Sequence, residues 1–149
     1  MRTRLLFLLL SLALVPQRAS GQSAADSAAI RQTALDYIEG YYTANADRMA
    51  RALHPELVKR IIVRDPRYAH ELIQGMGATQ LTEGTRAGGG SQTPAEKRRK
   101  DVTILDISYG RIAAVKIIAS DWVDYLQEAK VDGQWKIVNV LWERTPPAP

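Results

Sequence analysis

Two periodicities divide this chain. Between residues 26 and 53 apolar side chains recur three and four positions apart, and between 102 and 143 they fall in β-branched runs separated by turns. Ile30, Ala34, Tyr37, Ile38 and Tyr41 make one helical stripe, opened by Asp26 as a residue of N-cap type. Asn45 reads as a second N-cap, with Asp47 in the first turn and Met49, Ala52 and Leu53 on the buried side. Pro55 stops that short helix, because a proline pushes the preceding residue out of the helical region. Residues 57–63 then read as a strand, Asp65-Pro66 as a turn and 68–74 as a second short strand. Ala78, Leu81 and Thr85 mark a third helix, and 87–94 is a glycine-rich loop.

Four strands follow, at about 102–109, 112–120, 122–131 and 134–143. Tyr109-Gly110-Arg111 turns the first pair, and Asp132-Gly133 between apolar runs is a strong hairpin signal. In the last strand simple alternation sends Trp135, Ile137, Asn139, Leu141 and Glu143 to one face. Lys136, Val138, Val140 and Trp142 go to the other. Both faces are largely apolar and both need a cover. The helices supply one; the other is either a wall of the same barrel or a dimer surface, and the expected state is a homodimer. Helices followed by an antiparallel run place the chain in the α+β class.

The first residues carry a different pattern. Arg2 and Arg4 precede an apolar run from Leu5 to Val15, and Ala19-Ser20-Gly21 sets small side chains before Gln22. The pattern reads as a signal peptide, residues 1–21, rather than an uncleaved membrane anchor, because the run is shorter than the about 20 residues that spanning a bilayer takes. The expected protein is exported, periplasmic or secreted, with no membrane attachment after leader removal. It divides into a polar lead-in at 22–27, one domain at 28–144 and a proline-rich tail at 145–149. Export changes the charge. The whole chain has 20 Lys+Arg against 16 Asp+Glu, and loss of Arg2, Arg4 and Arg18 leaves 17 against 16. The sequence pI near 9.5 is therefore largely a leader effect and gives no support to nucleic-acid binding. With no cysteine, stability rests on a packed core.

The residues offer limited chemistry. His54 and His70, the only histidines, lack metal-ligand spacing, so no metal is expected; His54 reads as a cap on the second helix. Ser91 lacks the strand–turn–helix setting of a hydrolase nucleophile, and its loop lacks the Gly-Lys-Ser/Thr ending of a phosphate cradle. Lys97-Arg98-Arg99-Lys100 reads as a solvated run before a strand. Tyr37, Tyr41, Trp122, Tyr125, Trp135 and Trp142 are the aromatic inventory for core, interface or pocket. Trp122, Asp124 and Glu128 share a strand face, and a carboxylate beside tryptophan in an apolar pocket is suited to acid–base work. Asp121 and Asn139 are the other polar groups that could face a pocket.

Several segments together resemble the nuclear transport factor 2-like superfamily. They are Asp36-Tyr-Ile-Glu-Gly-Tyr-Tyr42, Asp47-Arg-Met, His54-Pro-Glu-Leu-Val-Lys-Arg60, Thr85-Arg-Ala-Gly-Gly-Gly90, Asp121-Trp-Val-Asp-Tyr-Leu126 and Trp135-Lys-Ile-Val-Asn-Val-Leu-Trp-Glu143. They are similar to its exported bacterial branch, related to the SnoaL cyclases, that bears the label putative lumazine-binding. The resemblance covers residues 28–144. It implies a cone-shaped roll in which a curved antiparallel sheet packs on N-terminal helices, a cystatin-like arrangement with a pocket between them. Ketosteroid isomerases of this fold place a tyrosine where Tyr37 stands and a carboxylate near Ile61, where this chain is apolar and lacks the base. SnoaL-type cyclases place an acid near Glu143. The expected function is small-molecule binding, with no cofactor. Tyr37, Tyr41, His54, Trp122, Asp124 and Asn139 are the candidate binding residues. The alternative is a cofactor-free isomerase, cyclase or hydrolase using Asp124 or Glu143 with Tyr37.

Overall fold

The computed structural model describes residues 19–146, with side chains from 23. Most of the expected leader and the last three residues of the expected tail lie outside that range. The elements in chain order are α1 (Ala19–Tyr42), α2 (Ala46–Ala52), β1 (Leu53–Arg64), β2 (Glu71–Gly77), α3 (Ala78–Arg86), β3 (Lys100–Ser108), β4 (Ile112–Ala119), β5 (Trp122–Val131) and β6 (Gln134–Arg144), with one 3-10 turn at Ala95–Lys97.

Helix α1 does not begin at Asp26. It runs through the expected lead-in from Ala19, and Asp26 sits in its interior. The reason is tertiary: the Asp26 carboxylate turns to the sheet and accepts from Lys130 Nζ at 2.6 Å and Trp135 Nε1 at 3.0 Å. Lys130, then Trp135, hold that carboxyl below its ordinary value. Asn45 does cap α2, accepting from the Arg48 backbone N–H at 2.9 Å. Arg48 in turn binds Asp36 and Glu39 and locks α2 against α1.

The six strands form one sheet in the order β2-β1-β6-β5-β4-β3. Every neighbouring pair is antiparallel except β1 and β6, which run parallel. Strand β1 starts at Leu53, directly after α2. Pro55, which cannot donate to a ladder, lies where the β1–β6 register shifts between Leu53 and Val58. The two hairpin turns use positive φ at Tyr109 and Gly110, and at Asp132 and Gly133, the geometry that matches strand twist.

A bulge overturns the simple alternation in β6. Gln127 pairs with Asn139 and Glu128 with Ile137, so Val138 is an extra residue. One extra residue exchanges the faces of everything beyond it. Trp135 and Ile137 therefore share the helix-facing side with Val140 and Trp142, while Asn139, Leu141 and Glu143 point to the outer side. A second bulge at Leu105 bends β3. The core lies between α1 (Ile30, Ala34, Tyr37, Ile38) and the inner sheet face (Val115, Ile117, Leu126, Ile137, Val140), closed by Met49 and Leu57.

Glu128 is the anomaly of this core. It is 1 % exposed, and neither carboxylate oxygen has a hydrogen-bond partner among the described residues. Burial pushes its carboxyl from an ordinary 4.5 up to about 8. Between those two values the folded protein holds a proton that the unfolded chain has released, so stability falls as pH rises through that window. Glu128→Met should therefore gain on the parent by up to about 1.4 kcal/mol for each pH unit across it. Urea unfolding at pH 4.5 to 8 measures this, and a difference that does not change with pH would refute it.

Candidate functional site

Four elements bring side chains to one point inside the roll. Lys59 follows Leu57 on the inward side of β1 and pairs in register with Val140 of β6. Two residues along β6 lies Trp142, whose register partner on β5 is Asp124. Tyr37 comes down from α1. The result is a buried network: Lys59 Nζ donates to Asp124 Oδ1 and to Tyr37 Oη, both at 2.6 Å. Asp124 Oδ2 accepts from Trp122 Nε1 at 2.7 Å and from Tyr37 Oη at 3.3 Å. Lys59 Nζ also lies 4.7 Å from the Trp142 ring centre and 5.3 Å from that of Tyr37, within cation–π range.

Burial pushes the Lys59 ammonium below its ordinary value, against the opposing pull of Asp124. Burial, then the Asp124 charge, drive the Tyr37 hydroxyl well above its own, so it stays protonated. The carboxyl that burial drives upward is Glu128, four residues along the same face of β5 and without these donors.

The network borders a cavity of about 340 Å³. One wall is aromatic: Tyr41 meets Trp122 edge-on at 5.5 Å, and Trp142 stands beside them. Met49, Met76 and Leu81 face it from α2, β2 and α3, while Gln92, Asp121 and Arg144 stand at its rim. The 87–94 loop is fitted to this wall. Gly90 N donates to Tyr41 O at 3.0 Å, and a Cβ on Gly90 would fall 2.5 Å from Tyr41 Cε1. Arg98, from the basic run, fastens the loop by donating to Thr93 O and Ser91 O.

Of the sequence candidates, Tyr37, Tyr41 and Trp122 line this cavity with Asp121, and Asp124 lies behind them, fully buried and bonded to Tyr37 and Trp122. The others lie elsewhere. His54 is the second residue of β1 and its Nδ1 accepts from the Glu56 backbone N–H at 3.2 Å; it neither lines the cavity nor caps α2 by donating to its carbonyls. The β6 bulge carries Asn139 to the outer face, where it accepts from Arg60 and donates to Gln127. Glu143 is exposed on that side and accepts from the Arg144 backbone N–H. Lys59 is the residue sequence reading missed. Its signal was a lysine on the apolar side of the Leu57-x-Lys59-x-Ile61 alternation. Among the described residues no cluster of three or more His, Asp or Glu could hold a metal.

The Lys59–Asp124 pair ties β1 to β5 with both charges buried. Lys59→Met should cost about 3–5 kcal/mol, because it strands a buried carboxylate. Lys59→Met/Asp124→Leu should recover most of that loss, since a packed apolar pair can replace a buried ion pair. Urea midpoints for the two variants test the point; a double variant no more stable than the single would refute it.

Comparison with known proteins places this geometry. A family model described as "Putative lumazine-binding" matches residues 25–143. No match was found among curated proteins. Similar solved structures include a nuclear transport factor 2-like protein of unknown function from Shewanella baltica, at 19% identity and TM-score 0.64, covering 83% of this chain and 97% of that one. Another is a protein of unknown function with a cystatin-like fold from Nostoc punctiforme, at 14% and 0.59, covering 85% and 96%. A ketosteroid isomerase-like protein from Erwinia carotovora is similar at 12% and 0.52, covering 80% and 96%. At these identities the structures establish the shared fold.

Proposed function

From a chain that belongs to the Putative lumazine-binding family and has the nuclear transport factor 2-like fold, we propose an exported protein that binds a small organic molecule in its inner cavity. The observation that carries this is the cavity itself. About 340 Å³ lies against four aromatic side chains, Tyr37, Tyr41, Trp122 and Trp142, with the buried Lys59 also in its lining. Aromatic walls favour a flat, apolar body, and the Lys59 ammonium favours an acceptor such as a carbonyl beside it. Lumazine, the flat dione in the family's name, has that form. The leader residues Arg2 to Gly21 support export.

The catalytic alternative draws less support. A general base must be free to take a substrate proton. Asp124 is fully buried behind the cavity wall and bonded there to Lys59, Tyr37 and Trp122, and Glu143 lies outside the cavity, so neither meets a substrate proton directly.

Native mass spectrometry of residues 22–149, purified from the exported fraction of its own host, tests the reading. A stoichiometric small molecule is expected, and Leu81→Trp, which fills the cavity, should reduce its occupancy at least tenfold. Equal occupancy in that variant would overturn the cavity as the site.

A homodimer through the outer sheet face belongs to the same reading. Ile62, Leu105, Tyr125 and Leu141 are large apolar side chains exposed there. Leu141 stands between Arg60 and Tyr125 in the cross-strand register, so a second copy placed about a two-fold axis would cover one continuous patch. Leu141→Arg should convert a dimer to a monomer in sedimentation velocity, and a variant that sediments like the parent would refute that interface.

A further inference from the structure

We propose that Lys59 is a nucleophile that condenses with the carbonyl carbon of an aromatic aldehyde or ketone held in the inner cavity, forming a protonated imine. This rests on the binding reading above and adds a covalent step to it.

Three observations carry the proposal. Lys59 is the only buried one of the chain's six lysines, and it lines the cavity. The others are more exposed, and Lys100, Lys130 and Lys136 are engaged with Glu39, Asp26 and the Arg51 carbonyl. Second, a bond to Asp124 needs only a cation, but an amine becomes a nucleophile once it loses a proton, which a guanidinium does not do. Third, an acceptor and a hydroxyl both lie 2.6 Å from Nζ, where imine chemistry needs protons moved. Desolvation, which favours the neutral amine, acts in the same direction.

The step balances without any oxidant or reductant. Lys59 gives one proton to Asp124, and the freed lone pair forms the C–N bond as the carbonyl π bond breaks onto oxygen. A second proton passes from nitrogen to that oxygen, with Tyr37 placed to relay it. The proton held by Asp124 then returns through the Tyr37 hydroxyl, which lines the cavity and bonds to Asp124, to the carbinolamine hydroxyl, which leaves as water as the nitrogen lone pair forms the C=N bond. The ammonium's three protons end as one on the iminium and two in the water. Aromatic carbonyl compounds are the substrate class because Tyr41, Trp122 and Trp142 border the space beside Nζ.

The test uses the whole mature protein, 2-naphthaldehyde as the probe and sodium cyanoborohydride to reduce any imine, near pH 7.5. Peptide mapping should locate the adduct at Lys59, formed at least tenfold faster than at exposed Lys97. Tyr37→Phe should slow trapping several-fold, and Lys59→Met/Asp124→Leu should lose the fast adduct. Quenching of tryptophan fluorescence by the aldehyde, without reductant, reads binding separately. Saturable quenching with Lys59 unmodified would overturn the imine and leave the cavity reading standing. Neither quenching nor an adduct at Lys59 would count against both.

Discussion

The ammonium of Lys59 and the carboxylate of Asp124 sit 2.6 Å apart in a part of the roll that water hardly reaches. Neither charge is tolerable there alone, because desolvating an unpaired ion costs several kcal/mol. Each therefore fixes the position of the other, and through them the elements that carry them. Strand β1 runs parallel to β6, beside the antiparallel run, and a link from β1 to β5 spans the strand between. Tyr37 brings α1 into the same arrangement. Trp122 adds a third donor to Asp124, so side chains from α1, β1 and β5 hold the site beside the cavity that Lys59 lines.

Asp124 and Glu128 show how far partners decide the behaviour of a side chain. Both lie on the inner face of β5, four residues apart, and both are fully buried. Asp124 has three donors within 3.3 Å. Glu128 has none among the described residues, and burial then favours its neutral form. The two residues give the inner face of β5 one carboxyl held by three donors and one without a partner among the described residues.

The cavity wall depends on close approach as much as on hydrophobicity. Tyr41 and Trp122 pack edge to face, a preferred aromatic geometry. The loop can lie against Tyr41 only because Gly89 and Gly90 lack a Cβ. Arg98, within a run that reads as solvated, supplies the side-chain anchors for that loop. The same bulge that turns Trp142 inward exposes Leu141, so one extra residue in β6 shapes both the cavity and the outer face.

Local pattern determined much of this protein. The stripe of α1 from Ile30 to Tyr41, the Asn45 cap, the four C-terminal strands and both tight turns follow from side-chain spacing and backbone preference, which act over a few residues. Tyr37, Tyr41, Trp122 and Asp124 were legible as site candidates because aromatic and carboxylate side chains on apolar faces are conspicuous. Asp26 as an interior helical residue was not legible, since its partners lie more than 100 positions away. Nor was the inward turn of Trp142, because an alternation read without its bulge assigns the wrong face to every residue beyond it. Lys59 was hidden for the same kind of reason. A lysine in a strand is buried only where a distant carboxylate waits for it, and the β1–β6 pairing and the fold of α1 decide that. Short-range spacing set the elements, and long-range register decided which side chains share the cavity.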